Sequence, residues 1–152
     1  MSKKFLSPMH RAMRQIGIHL EEACRPLGVT TTEGHVLSFL RSYAPCAVGE
    51  LHRVFGLKRS TLTSVLDRLE RRSLVRRTTD PEDRRSVQVA ITARGRRVGD
   101  EIQGSLDALE RAIESHVRTR DVAAFHRVLD AIAEATGVEV RRAGVTRSNE
   151  RK

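Results

Sequence analysis

The sequence predicts a mainly α-helical protein with one small β-hairpin, and three observations carry that class. Apolar residues recur at spacings of three and four through six segments, the period of an amphipathic helix. One stretch alone, Val87-Gln88-Val89-Ala90-Ile91, places its large apolar residues at every second position, as a half-buried strand does. Gly, Pro and Thr fall between these segments, where chain reversals and helix caps are needed.

Each element follows in order. Phe5/Leu6, Met9, Met13, Ile16, Leu20 and Ala23 form one stripe of a first helix, which Arg25-Pro26-Leu27-Gly28 ends. Thr30 to Glu33 offers an N-cap for a second helix lined by Val36, Leu37, Leu40 and Tyr43, and Ala44-Pro45-Cys46 breaks it. A short third helix starts near Val48, with Leu51, Val54 and Phe55 inward, and stops at Gly56. A fourth runs to about Arg72, with Leu62, Val65, Leu66 and Leu69 on one face. Leu74 to Thr78 and Val87 to Ile91 pair as strands around a tip of Asp80 to Arg85. From Thr92 a long helix carries Val98, Ile102, Leu106, Leu109, Ile113 and Val117 at near-heptad spacing, and a last helix spans about 121–135. The basic stretch beyond Gly137 loses its periodicity and is expected to be disordered.

Composition bounds the function. The chain has 152 residues, enough for one cored domain, with 39% hydrophobic and 31% charged residues. Its 28 Lys+Arg exceed its 19 Asp+Glu, leaving +9, and such an excess favours a polyanionic partner. One Tyr, four Phe and no Trp leave little on which to stack bases, which argues for duplex rather than single-stranded nucleic acid. There is no Gly-rich phosphate loop, nucleophile elbow or metal-ligand spacing, so no enzyme and no cofactor is expected. Six scattered histidines without an i, i+4 pair argue against a metal site. Cys24 and Cys46 form no disulfide framework, and no apolar run approaches a membrane span, so a cytoplasmic protein with no membrane partner is expected.

Two short helices around a Gly turn form a helix-turn-helix candidate. On the second of them Ser60, Ser64, Asp67 and Arg71 lie opposite the apolar face, with Thr61, Thr63 and Arg68 on its flanks. Small hydroxyls allow close approach to base edges, and Arg can fork onto guanine or phosphate. The hairpin alone would read as a solvated turn. Placed directly after a helix-turn-helix, it reads as a wing that reaches the adjacent backbone or minor groove. Residues 58–85 carry nine Lys/Arg against five acids. The predicted DNA-binding set is Lys58, Arg59, Ser60, Thr61, Thr63, Ser64, Arg68, Arg84 and Arg85, with Asp83 bracing an arginine of the wing.

Residues 47–95 resemble the MarR family of bacterial transcription regulators. The matching pieces are Ser60, Thr61 and Thr63, then Asp67 to Glu70, Leu74 to Arg77, Asp83 with Arg85, and Ile91, Thr92 and Gly95. The resemblance extends over about residues 5–137. It implies a winged helix-turn-helix (29–95) between an N-terminal dimerisation helix (1–28) and C-terminal dimerisation helices (96–137), ahead of a basic tail (138–152). It further implies a homodimeric repressor of a nearby operon that binds a palindromic operator and is released by a small effector, with Arg85 entering the minor groove. Redox sensing through Cys24 and non-specific architectural DNA binding are the alternatives. Three positions depart from the family pattern. Lys58 stands where a Ser-type cap is frequent, Ser64 where a longer basic side chain is frequent, and Ser73 where Gly is common.

Overall fold

A computed structural model describes residues 4–137. The element order is α1 (Leu6–Cys24), a 3-10 turn (Arg25–Leu27), α2 (Thr31–Tyr43), β1 (Cys46–Ala47), α3 (Val48–Phe55), α4 (Arg59–Arg71), β2 (Val75–Thr79), β3 (Val87–Ile91), α5 (Ala93–Glu114) and α6 (Thr119–Thr136). The expected tail disorder lies outside the described residues.

The caps explain the boundaries. The Thr30 hydroxyl accepts the Glu33 amide at 3.2 Å, and the Glu33 carboxylate accepts the Thr30 amide at 2.9 Å, a reciprocal capping box at the start of α2. Thr92 caps α5 by accepting the Gly95 amide at 3.0 Å. Its hydroxyl also donates to the carbonyls of Ser73 and Leu74, at 2.7 and 3.0 Å, tying α5 to the base of the hairpin. Gly95 is required there. A Cβ at that position would sit 1.9 Å from the Leu74 carbonyl oxygen. Ser73, between α4 and β2, takes a left-handed φ of 56°, the conformation that glycine adopts most readily.

The three strands form one antiparallel sheet in the order β1-β3-β2. Val75 pairs with Ile91 and Thr79 with Val87, while Cys46 pairs with Val89. β1 is an addition to the sequence reading, which saw only a helix break at Ala44 to Cys46. α6 begins at Thr119, two residues before the expected start.

Leu62, Val65, Leu66 and Leu69 of α4 are all buried, as their spacing predicts. They meet Leu37 and Leu40 of α2, Leu51 of α3, Leu74, and Val89 of β3 in one core that also takes in Leu20, Cys24 and Ile102. The α1 stripe divides. Leu20 enters this core, joined by Cys24 from outside the expected stripe, whereas Phe5, Leu6, Met13 and Ile16 remain exposed. No residue of α6 is buried, and Ile113, Val117, Val122 and Phe125 are exposed around the α5–α6 corner.

Candidate nucleic-acid interface

Burying Leu62, Val65, Leu66 and Leu69 leaves the other side of α4 to solvent. Lys58, Arg59, Ser60, Thr61, Thr63 and Ser64 are all exposed, gathered at the N-terminal half of the helix. Lys58 occupies the N-cap with no side-chain cap bond, and the first turn holds no acid. The amides at this end, the helix dipole and two cations therefore all favour a phosphate.

The wing tip is ordered by two aspartates. Asp83 accepts the backbone amide of Arg85 at 3.0 Å, and the Asp83 carbonyl accepts the Ser86 amide at 2.8 Å. Asp83 was expected to hold an arginine side chain, but among the described residues no ion pair links it to Arg84 or Arg85. A two-residue turn brings its carboxylate to the main chain instead. Asp80 contributes more. It accepts the Glu82 amide at 2.9 Å and the Gln88 side-chain amide at 2.8 Å, and its own amide donates to the Ser86 carbonyl. These bonds, the Glu82 amide foremost, hold the Asp80 carboxyl below its ordinary range. Arg84 and Arg85 are exposed on this scaffold. The turn-forming habit of Asp was the signal for Asp80 in the sequence.

The wing and α4 are joined by Arg77 on β2. Its Nη2 lies 2.6 Å from Glu70 and 2.7 Å from Asp67, and both its amide and its Nε donate to Glu70 at 2.9 Å. Hydrogen bonds from the amide and then the side chain of Arg77 lower the Glu70 pKa, and the Glu70 carboxylate chiefly raises that of Arg77. Asp67, expected on the outer face, is thus turned toward the wing.

Arg68 differs from the other predicted contacts. Its Nε donates to Glu33 Oε1 at 2.5 Å, across the α2–α4 interface. Nothing in the spacing of α4 announces a partner 35 residues away.

The cysteines occupy structural settings. Cys24 is 1% exposed, and a Cβ on Gly34 would lie 2.6 Å from its sulfur. Burial, and secondarily the charge of Glu33, push its thiol pKa up. Cys46 is half-buried and pushed up to about 11, again by burial first and by Glu50 second. Both features count against a reactive thiol at Cys24, which would need a lowered pKa and access. Among the described residues no group of three potential metal ligands occurs, and no helix is long and apolar enough to cross a membrane.

Comparison with known proteins places these features in a family. The family model for MarR matches residues 29–87. The chain is 31% identical to the HTH-type transcriptional repressor NicR of Pseudomonas putida over 109 residues, covering 64% of this chain and 68% of NicR. A cysteine-to-serine variant of Escherichia coli MarR complexed with operator DNA aligns at a TM-score of 0.72 and 25% identity, over 83% of this chain and 91% of that one. Bordetella bronchiseptica BpsR, solved for the regulation of its DNA binding by 6-hydroxynicotinic acid, aligns at a TM-score of 0.73 and 21% identity, over 88% and 96% of the two chains.

Proposed function

The chain belongs to the MarR family of transcription regulators, and from that premise we propose that it is a homodimeric repressor of a palindromic operator, released by a small effector. The observation that carries the reading is the exposed hydroxyl and basic face of α4 beside an ordered, doubly arginine-tipped wing. In this reading Ser60, Thr61, Thr63 and Ser64 lie against base edges in the major groove. Lys58 and Arg59 take phosphates at the α4 N-terminus. Arg85 enters the minor groove, where the negative potential draws arginine, and Arg84 lies along the backbone.

Dimerisation is supported by the apolar surface that one copy leaves uncovered. Phe5 at the N-cap of α1, Leu6, Met13 and Ile16 within it, and Val122 and Phe125 of α6 are at least 40% exposed. These residues belong to helices at the two ends of the described chain, whose apolar stripes a second copy would cover. Two such copies would address half-sites about one helical turn apart. Release by a small molecule is supported by the BpsR structure, whose DNA binding 6-hydroxynicotinic acid regulates. Repression is supported by the name of NicR.

Genomic footprinting tests the whole reading, run with the purified full chain alone and with a phenolic acid, peroxide or zinc. Protection of discrete palindromic sites, lost with the phenolic acid only, is expected. Uniform coverage without preferred sites would instead support the architectural alternative. Loss of protection with peroxide alone would restore the redox reading that the burial of Cys24 opposes.

A further inference from the structure

Arg68 of α4 and Arg72 at its C-cap lie one turn apart, and they reach across to the first turn of α2 and to the elbow between α1 and α2 respectively. Arg68 Nε donates to Glu33 Oε1 at 2.5 Å. Arg72 Nη2 donates to the Leu27 carbonyl at 3.1 Å, and its Nη1 to the Gly28 carbonyl. The elbow is itself stiff. Gly28 is left-handed with φ 67°, and a Cβ there would sit 3.1 Å from Arg72 Nη2. Glu33 is 3% exposed, and its second oxygen is held by the Thr30 amide at 2.9 Å.

Resting on the DNA-binding reading above, we propose that Glu33 is a positioning residue for operator recognition. Through Arg68, and with Arg72 as the second point of attachment, it sets the pitch at which α4 presents Ser60 to Ser64 to the duplex. The buried row of Leu62, Val65, Leu66 and Leu69 seats the helix, and the two arginine attachments add directed polar contacts that refine its angle against α2. The alternative is plain support of the fold. Capping α2 engages only one carboxylate oxygen, through the Thr30 amide, and the other is committed to an arginine on a different helix. What the ion pair adds is a fixed geometry between α2 and α4. Arg68 then acts inside the protein rather than on the DNA, and Glu33 and Arg68 form one functional unit.

The test uses the full chain and two duplexes, the footprinted operator and a scrambled sequence, with affinity followed by fluorescence anisotropy across a KCl series. Glu33→Gln leaves one side-chain oxygen for two donors, and Arg68→Gln removes the other half of the pair. Each is expected to lose about tenfold in operator affinity, with scrambled-duplex affinity and salt slope unchanged, and the double variant to lose no more than either single. Arg72→Gln, which leaves only the backbone carbonyls of Leu27 and Gly28 behind and no buried charge, serves as the second variant if Glu33→Gln does not fold. It is expected to lose several-fold on the operator with the slope unchanged.

If Arg68→Gln lowers the slope by about one while Glu33→Gln binds normally, Arg68 contacts phosphate and the proposal falls. It falls also if operator and scrambled affinities drop in parallel with thermal stability, or if Arg72→Gln binds the operator as tightly as the parent. A parent protein that does not distinguish operator from scrambled duplex would overturn the DNA-binding reading itself, an outcome visible before any variant is measured.

Discussion

The backbone amide and the guanidinium of Arg77 both end on the carboxylate of Glu70, so the first strand of the wing is bonded to the last turn of α4. Asp67, one turn earlier, takes the same guanidinium at 2.7 Å. Helix and wing are therefore one rigid unit. Arg77→Ala is expected to destabilise the fold by about 1 kcal/mol, a modest figure because both partners are about one-third solvent-exposed. Its operator affinity should fall further than that of an exposed-arginine control. Equal losses in anisotropy titrations would show that helix and wing bind independently. The sign of the pH dependence follows from Glu70, whose pKa is lowered in the fold from an ordinary 4.5. Its contribution is present above that ordinary value and is lost as pH falls through the lower folded one. Parent and Glu70→Gln stabilities should thus converge in acid, below about pH 4, and separate at neutral pH.

Arg85 stands on a tip whose order does not depend on its side chain, because Asp83 takes its amide. Arg85→Ala should leave the hairpin folded, weaken operator binding, and lower the salt slope by about one. An unchanged slope in the KCl series would remove Arg85 from the interface.

Thr61 and Ser64 are exposed on the N-terminal half of α4, free of the Arg77 and Arg68 pairings. Thr61→Ala and Ser64→Ala are expected to change the preferred sequence in a binding-site selection while leaving scrambled-duplex affinity within about twofold. The same consensus from parent and variants would show that neither side chain reads bases.

Ser73 holds φ 56° at the α4–β2 junction. Ser73→Gly should raise stability by about 1 kcal/mol, the left-handed strain relieved less the glycine's extra freedom in the unfolded chain. Thermal or denaturant unfolding measures it directly, and a loss of stability would mean that the serine is at ease there.

Legibility in the sequence followed the range of the interaction. The N-cap in Thr30 to Glu33, the buried row of α4 and the existence of the hairpin all rest on local patterns, and their spacing announced them. Ser73 was marked by a missing glycine, and its left-handed φ agrees. What escaped is long-range or carried by the backbone. The Arg68–Glu33 pair joins helices 35 residues apart, so a residue that looked free on a helical projection is engaged. β1 is two residues long and exists only because Val89 and Gln88 pair with it. Asp83 was expected to work through charge and works through an amide, because the tight turn brings main chain rather than guanidinium within its reach.

Gly95 adds a mechanical consequence. The first turn of α5 lies against the Leu74 carbonyl without clearance for one methyl group, and Thr92 fastens the same point. A 22-residue helix is about 33 Å long, and the first half of α5 is also fastened along α2, by Gly99 against the Leu37 carbonyl, Asp100 on Arg41 and Gln103 on Ser38. A displacement of about 3 Å at its far end, near Glu114, corresponds to a rigid tilt of about 5°, which α2 and the hairpin would have to share. Motion generated among the exposed apolar residues of the α5–α6 corner would therefore be felt at the root of the wing only as a small change of angle.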